Sequence, residues 1–148
     1  MDQGFWYVID KGIAADKTYP KRDVAPCKYV LNMKFTSIGG CAHVPSNTYS
    51  KLLSAIVQQP VSVALDLSPD MREYAGGVFT GQCSTKLTHA MLLTGYGGDI
   101  EDNYYWKLKN TLGAEWGNKG YLMMKRYAKD GEGKCGIQRM ASIPQKIA

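Results

Sequence analysis

The chain has 148 residues, of which 45% are hydrophobic and 21% charged, a composition that suits one soluble domain with a single buried core. Eleven per cent aromatics and 16 glycines against 6 prolines argue against disorder, a collagen-like repeat or a scaffold held by disulfides alone. Net charge is +5, but the 18 basic residues are interleaved with 13 acidic ones, so no dense basic stripe points to nucleic acid, and no apolar run approaches the length of a membrane span.

The amino-terminal residues, Met1 to Trp6, lack the basic flank and apolar run of a secretory signal, so the compartment is not readable from them. Phe5, Val8 and Ile9 fall three and four apart over residues 2–13 and are followed by Gly12, which predicts a short amphipathic helix stopping there. Residues 16–47 read as a long irregular connection with an extended piece over 29–35. Ser46 or Asn47 is placed to cap a helix whose apolar stripe is Leu52, Leu53, Ile56 and Val57 and which Pro60 ends.

Beyond Pro60 the period changes to two: Val61, Val63, Leu65 and Leu67 alternate with Ser62, Ala64 and Asp66, as in a half-buried strand. Further strands are predicted over 77–79, 89–96, 104–109, 121–126 and 141–143, separated by Gly, Asn and Asp turn signals. The expectation is one α+β unit over residues 1–148, with a helix and irregular connection over 1–45, then a helix and an antiparallel sheet curling toward a barrel over 46–148.

Few residues could carry chemistry. His89 and His43 are the two histidines; His43 lies in a predicted loop near Cys41, but zinc wants four ligands and no second pair stands nearby, so no metal site is expected. Gly95, Tyr96, Gly97 and Gly98 lack the following helix and Lys-Ser/Thr of a phosphate loop and read as a hairpin turn, with Asp99, Glu101 and Asp102 at a solvated tip.

The order of several blocks is more specific. Gln59, Pro60, Val61, Ser62, Val63; Gly76, Gly77, Val78, Phe79; Cys83; Thr88, His89, Ala90; and Gly95, Tyr96, Gly97 resemble, in sequence, the carboxyl-terminal half of the papain-like cysteine peptidases, in a plant-like form. Tyr105 to Gly113 with Trp116, Gly117, Gly120 and Tyr121 resembles the family's second signature, and Cys135, Gly136, Ile137 its late cysteine.

The resemblance implies the barrel-like carboxyl-terminal lobe of the papain fold, with His89 and Asn110 in the catalytic places, Ala64, Leu87, Thr88 and Ala90 on the wall of the substrate pocket, and a Cys83–Cys135 disulfide. It implies thiol-dependent proteolysis of peptide or protein substrates, inhibitors at the same cleft face, and no cofactor or metal. By family habit the compartment is vacuolar, lysosomal or extracellular. Papain-type enzymes place the histidine roughly 130 to 150 residues after the nucleophilic cysteine, which puts that cysteine, with the oxyanion-hole glutamine just before it, roughly 40 to 60 residues ahead of Met1. The expectation is therefore a truncated lobe without nucleophile, inactive alone, completed by an amino-terminal lobe or by self-association; the rival is a pseudopeptidase that binds an inhibitor, propeptide or peptidase lobe without turnover.

The family's Asn-Ser-Trp-Gly stands here as Asn110, Thr111, Leu112, Gly113, so the indole that shields the asparagine–histidine bond is replaced by a smaller leucine, while Trp116 is expected to pack under its loop. Cys27 resembles a cysteine whose partner lies outside this sequence and Cys41 has no counterpart; the two either pair with each other or remain free.

Overall fold

The computed structural model describes residues 1–20, 26 and 34–147, so Cys27 and most of the predicted 29–35 extension lie outside it. The described chain forms two compact units, Met1–Ala42 with Pro144–Ala148, and His43–Ile143.

In the first unit, helix α1 (Asp2–Lys11) carries Asp2 in its first turn and Lys11 in its last, charges that suit the two ends of the helix dipole. Gly12 stops it with φ +74, and a Cβ there would come within 2.8 Å of the Phe35 Cβ, so glycine is required both by conformation and by space. Ile13, just beyond the predicted stop at Gly12, opens β1 (Ile13–Ala14), which pairs antiparallel with β2 (Phe35–Thr36). The Ser37 hydroxyl donates to the Val8 carbonyl at 2.9 Å, which also accepts the Gly12 amide, tying β2 to the last turn of α1.

Where the sequence suggested only connection, strand β3 (Gly40–Val44) forms. Its single glycine, Gly40, leads into Cys41, Ala42, His43 and Val44, which do not alternate apolar with polar, so no strand period registers. His43 is consequently a strand residue, exposed, with its Nδ1 3.3 Å from the hydroxyl of the fully buried Ser142.

The second unit holds the core. Helix α2 (Tyr49–Gln58) buries Leu52 and Ile56, with Leu53 packed at the edge. Val57, assigned to the same stripe, is 65% exposed, because the buried arc is narrower than the sequence pattern. Neither Ser46 nor Asn47 caps α2: Thr48 is the cap residue, without a side-chain cap bond, and the first-turn amide of Tyr49 is satisfied from a distance by the Asp130 carboxylate at 2.8 Å.

Strand β4 (Val61–Leu65) lies between β9 (Ala141–Gln145) and β6 (His89–Gly97). A central position explains why Ala64, expected on a solvated face, is buried with Val61, Val63 and Leu65. The order of the sheet is β3-β9-β4-β6-β7-β8-β5, where β5 is Val78–Phe79, β7 Tyr105–Lys109 and β8 Tyr121–Lys125. The β4–β6, β6–β7 and β7–β8 pairs are antiparallel, as expected, whereas β5 runs parallel to β8. One turn of helix, α3 (Pro69–Arg72), went unpredicted, being too short for a periodic signal, although Ser68 caps it through the Met71 amide and Pro69 opens it.

One face of the sheet presents Val63, Leu65, Leu93, Trp106, Leu108, Leu122 and Met124, each at most 1% exposed. Full burial of such a side chain is worth about 1.5–3 kcal/mol, so this face dominates the unit's stability. At its border Arg126, 6% exposed, is held among the rings of Tyr49, Tyr96, Tyr104 and Trp106 at 4.5–5.8 Å and donates to the Tyr49 hydroxyl, so aromatic faces rather than a carboxylate receive its charge. Residues 98–104 make the turn between β6 and β7, with Asp99 and Glu101 exposed, as the glycine run implied. Among the described residues no helix is long and apolar enough to cross a membrane.

Candidate active site

His89 is the first residue of β6 and pairs with Leu65 at the end of β4. Asn110 follows the last residue of β7 and is 6% exposed. The β6–β7 register aligns Leu92 with Lys109, so one further step sets Asn110 opposite Met91, and His89 lies two residues along on the same face. Strand pairing thus brings the pair, distant in sequence, together, and His89 Nε2 stands 2.9 Å from Asn110 Oδ1.

The roles of these atoms follow from their neighbours. Asn110 Oδ1 also accepts the backbone N–H of Thr111 at 2.8 Å; a flipped amide would turn its NH2 against that N–H, so the oxygen belongs where it is. An amide oxygen only accepts, so His89 Nε2 carries the proton, and in the neutral ring the lone pair is left on Nδ1. Asn110 Nδ2 is buried and makes no hydrogen bond among the described residues. A histidine oriented in this way can take a proton at Nδ1 from a nucleophile and return it to a leaving group.

Of the expected wall residues, Ala64 and Ala90 face each other across the β4–β6 pair, Ala64 buried and Ala90 exposed. Leu87 is half-buried and Thr88 exposed, its hydroxyl accepting the Leu67 amide at 3.0 Å and donating to Asp66 Oδ1 at 3.2 Å. Burial raises the Asp66 carboxyl, but bonds from the Ser84 side chain and amide and from Thr88, with the nearby Lys86 charge, outweigh it and hold the group below its ordinary value. The cluster as a whole gave no sequence signal: Thr88 stands in the Thr88, His89, Ala90 block, but Asp66, Ser84 and Lys86 belong to none of the motif blocks.

Cys83 and Cys135 form a disulfide, with Cα atoms 5.2 Å apart. Cys41 is a free, half-buried thiol on β3. Leu112 is 51% exposed. Trp116 packs against Tyr74 at 5.7 Å and donates its indole N–H to the Arg72 carbonyl at 3.0 Å, the packing role expected of it. An open groove of about 400 Å³ lies elsewhere, along the disulfide and residues 127–134. Among the described residues no cluster of three or more His, Cys, Asp or Glu side chains is arranged to hold a metal ion.

Comparison with known proteins shows the family. The family model for papain family cysteine proteases matches residues 1–145. Vignain of Ricinus communis is 42% identical over 99% of this chain and 42% of its own length, and a thiol protease of Hemerocallis is 39% identical over 100% of this chain and 42% of its own. The chain thus spans about two fifths of the curated relatives it matches. Among solved structures, the bromelain protease of Ananas comosus in complex with the E64 inhibitor superposes with a TM-score of 0.91 at 34% identity, covering 99% of this chain and 69% of that one. A ragweed pollen cysteine protease in its proform gives 0.90 at 33%, covering 99% and 45%. The chain belongs to the papain family of cysteine proteases.

Proposed function

We propose that these residues form a single lobe, the carboxyl-terminal one, of a thiol-dependent endopeptidase, in which His89 is the acid–base group and Asn110 its orienting partner. The observation that carries this is the 2.9 Å His89 Nε2–Asn110 Oδ1 bond, with Oδ1 fixed by the Thr111 amide and Nδ1 left open. A cysteine thiol facing Nδ1 gives its proton to His89 and becomes the thiolate. The sulfur attacks the scissile carbonyl carbon, the C–N bond breaks as the imidazolium protonates the amine, and water, deprotonated at Nδ1, then hydrolyses the thioester and restores the thiol.

Neither Cys83 nor Cys135 can supply that thiol while they are bonded to each other, and in this reading neither Cys27 nor Cys41 does so. The nucleophile and the oxyanion-hole glutamine come from a lobe not included in the 148 residues. Ala64, Leu87, Thr88 and Ala90 line the side of the cleft that receives an apolar substrate residue. Two solved relatives, one carrying the E64 inhibitor and one with its propeptide, favour peptides, peptide-like inhibitors and a propeptide as occupants of that cleft.

The test is complementation. The chain is combined with a papain-family amino-terminal lobe that carries the cysteine, and cleavage of a fluorogenic dipeptide amide is followed. Cleavage that His89→Ala abolishes supports the reading; cleavage that survives His89→Ala, or no cleavage from a complex that forms stoichiometrically, overturns it.

A further inference from the structure

Residues 80–88, between the end of β5 and His89, have no helix or strand, and a histidine at the first position of a strand takes its orientation from what precedes it. That segment is held by side chains. The Asp66 carboxylate accepts the Ser84 amide through Oδ2 at 2.7 Å and the Thr88 hydroxyl through Oδ1 at 3.2 Å. The Thr88 hydroxyl in turn accepts the Leu67 amide, and the Thr88 amide donates to the Leu65 carbonyl, both at 3.0 Å.

The clamp closes on the disulfide. The Asp66 amide donates to the Cys135 carbonyl at 2.9 Å, Cys135 is bonded to Cys83, and Cys83 adjoins Ser84. One carboxylate therefore sits in a ring of bonds that fixes both the middle of the segment and the residue immediately before His89. Asp70 adds a second hold, accepting the Gln82 amide at 2.7 Å, but acts farther from the histidine. A bond to an ionised group is roughly twice as strong as a neutral one, so of the contacts at the entry to β6 those to Asp66 weigh most.

We propose that Asp66 is a positioning residue for His89: through Ser84 and Thr88 its carboxylate fixes the entry to β6 so that the imidazole keeps Nε2 on Asn110 and Nδ1 toward the cleft. The proposal rests on the reading of His89 and Asn110 as the catalytic pair. It differs from a purely structural role in that loss of the clamp loosens the ring before it loosens the sheet.

The experiment follows the His89 ring Nε2 proton by NMR in the intact chain and its Asp66→Ala, Thr88→Val and Thr88→Ser variants, with the amides of β7 and β8 as the reference for the fold. The expected result is solvent exchange of the ring proton about tenfold faster in Asp66→Ala and Thr88→Val, unchanged β7–β8 protection, and wild-type behaviour in Thr88→Ser, which keeps the hydroxyl. Unchanged ring exchange overturns the proposal, as does a loss of β7–β8 protection that matches the loss at the ring. If Asp66→Ala does not fold, the two Thr88 variants decide alone. A wild-type ring without a protected Nε2 proton removes the catalytic-pair reading itself, a failure distinct from an unchanged variant.

Discussion

Asn110 Oδ1 receives two donors, the His89 ring at 2.9 Å and the Thr111 amide at 2.8 Å, so the residue that orients the histidine is itself oriented by its own chain neighbour. Asn110→Ala removes the acceptor and leaves the ring free to turn. In the complemented enzyme kcat falls roughly 10- to 100-fold, the cost of one bond to a group that becomes charged, while KM changes little. Steady-state kinetics on the dipeptide amide checks this split.

In the resemblance to the family's Asn-Ser-Trp-Gly, Leu112 takes the place of the shielding indole, and it is 51% exposed. Leu112→Trp restores the larger cover and reduces competition from water. The expected outcome is several-fold slower solvent exchange of the His89 Nε2 proton, read by NMR, with no loss of thermal stability.

The Cys83–Cys135 bond closes a sequence separation of 52 residues. In the chain-entropy model a loop of that size stabilises the fold by about 4 kcal/mol. The Cys83→Ala/Cys135→Ala double variant should lose about that much in urea unfolding, and complete reduction of the wild type with a strong dithiol in excess should reproduce the loss.

Two groups, Asp66 and Tyr74, contribute opposite pH dependences to stability. The Asp66 carboxyl is lower in the folded chain than unfolded, so its contribution is present above the ordinary carboxylate value and is lost as pH falls through the depressed folded one. Tyr74 moves the other way: burial raises its phenol above the ordinary 10.0 despite the Met123 amide that bonds it, so stability is intact below 10 and declines as pH rises through the raised folded value. Asp66→Asn should flatten the acid limb of a stability–pH curve, and Tyr74→Phe the alkaline limb. Tyr74→Phe should also cost about 1–3 kcal/mol at neutral pH, because the Gly77 carbonyl loses its donor at 2.6 Å.

The elements legible in the sequence are those with a long periodic signal or a motif. The stripe of α2 and the alternation of β4 located the core, and the order of motif blocks singled out His89 and Asn110, which the structure brings within 2.9 Å, and the Cys83–Cys135 disulfide. What escaped was short or non-local. Strand β3, GCAHV, has no apolar–polar alternation, and α3, of four residues, is too short for a helical period to be counted. The cap of α2 comes from Asp130, and Thr88 meets Asp66 across two strands, contacts that no local pattern encodes. The parallel β5–β8 pair is likewise a matter of how the chain returns to the sheet edge, which two-residue strands do not announce.

The central claim, that this chain supplies the histidine and not the thiol, is tested most directly by intact mass. The complemented protein is treated under mild reduction with a peptidyl epoxide that alkylates active-site thiols, and both chains are weighed. The account predicts one adduct on the complementing lobe, none on the 148-residue chain, and suppression of the adduct by His89→Ala. A stoichiometric adduct on Cys27, Cys41 or Cys83 of the chain would contradict it.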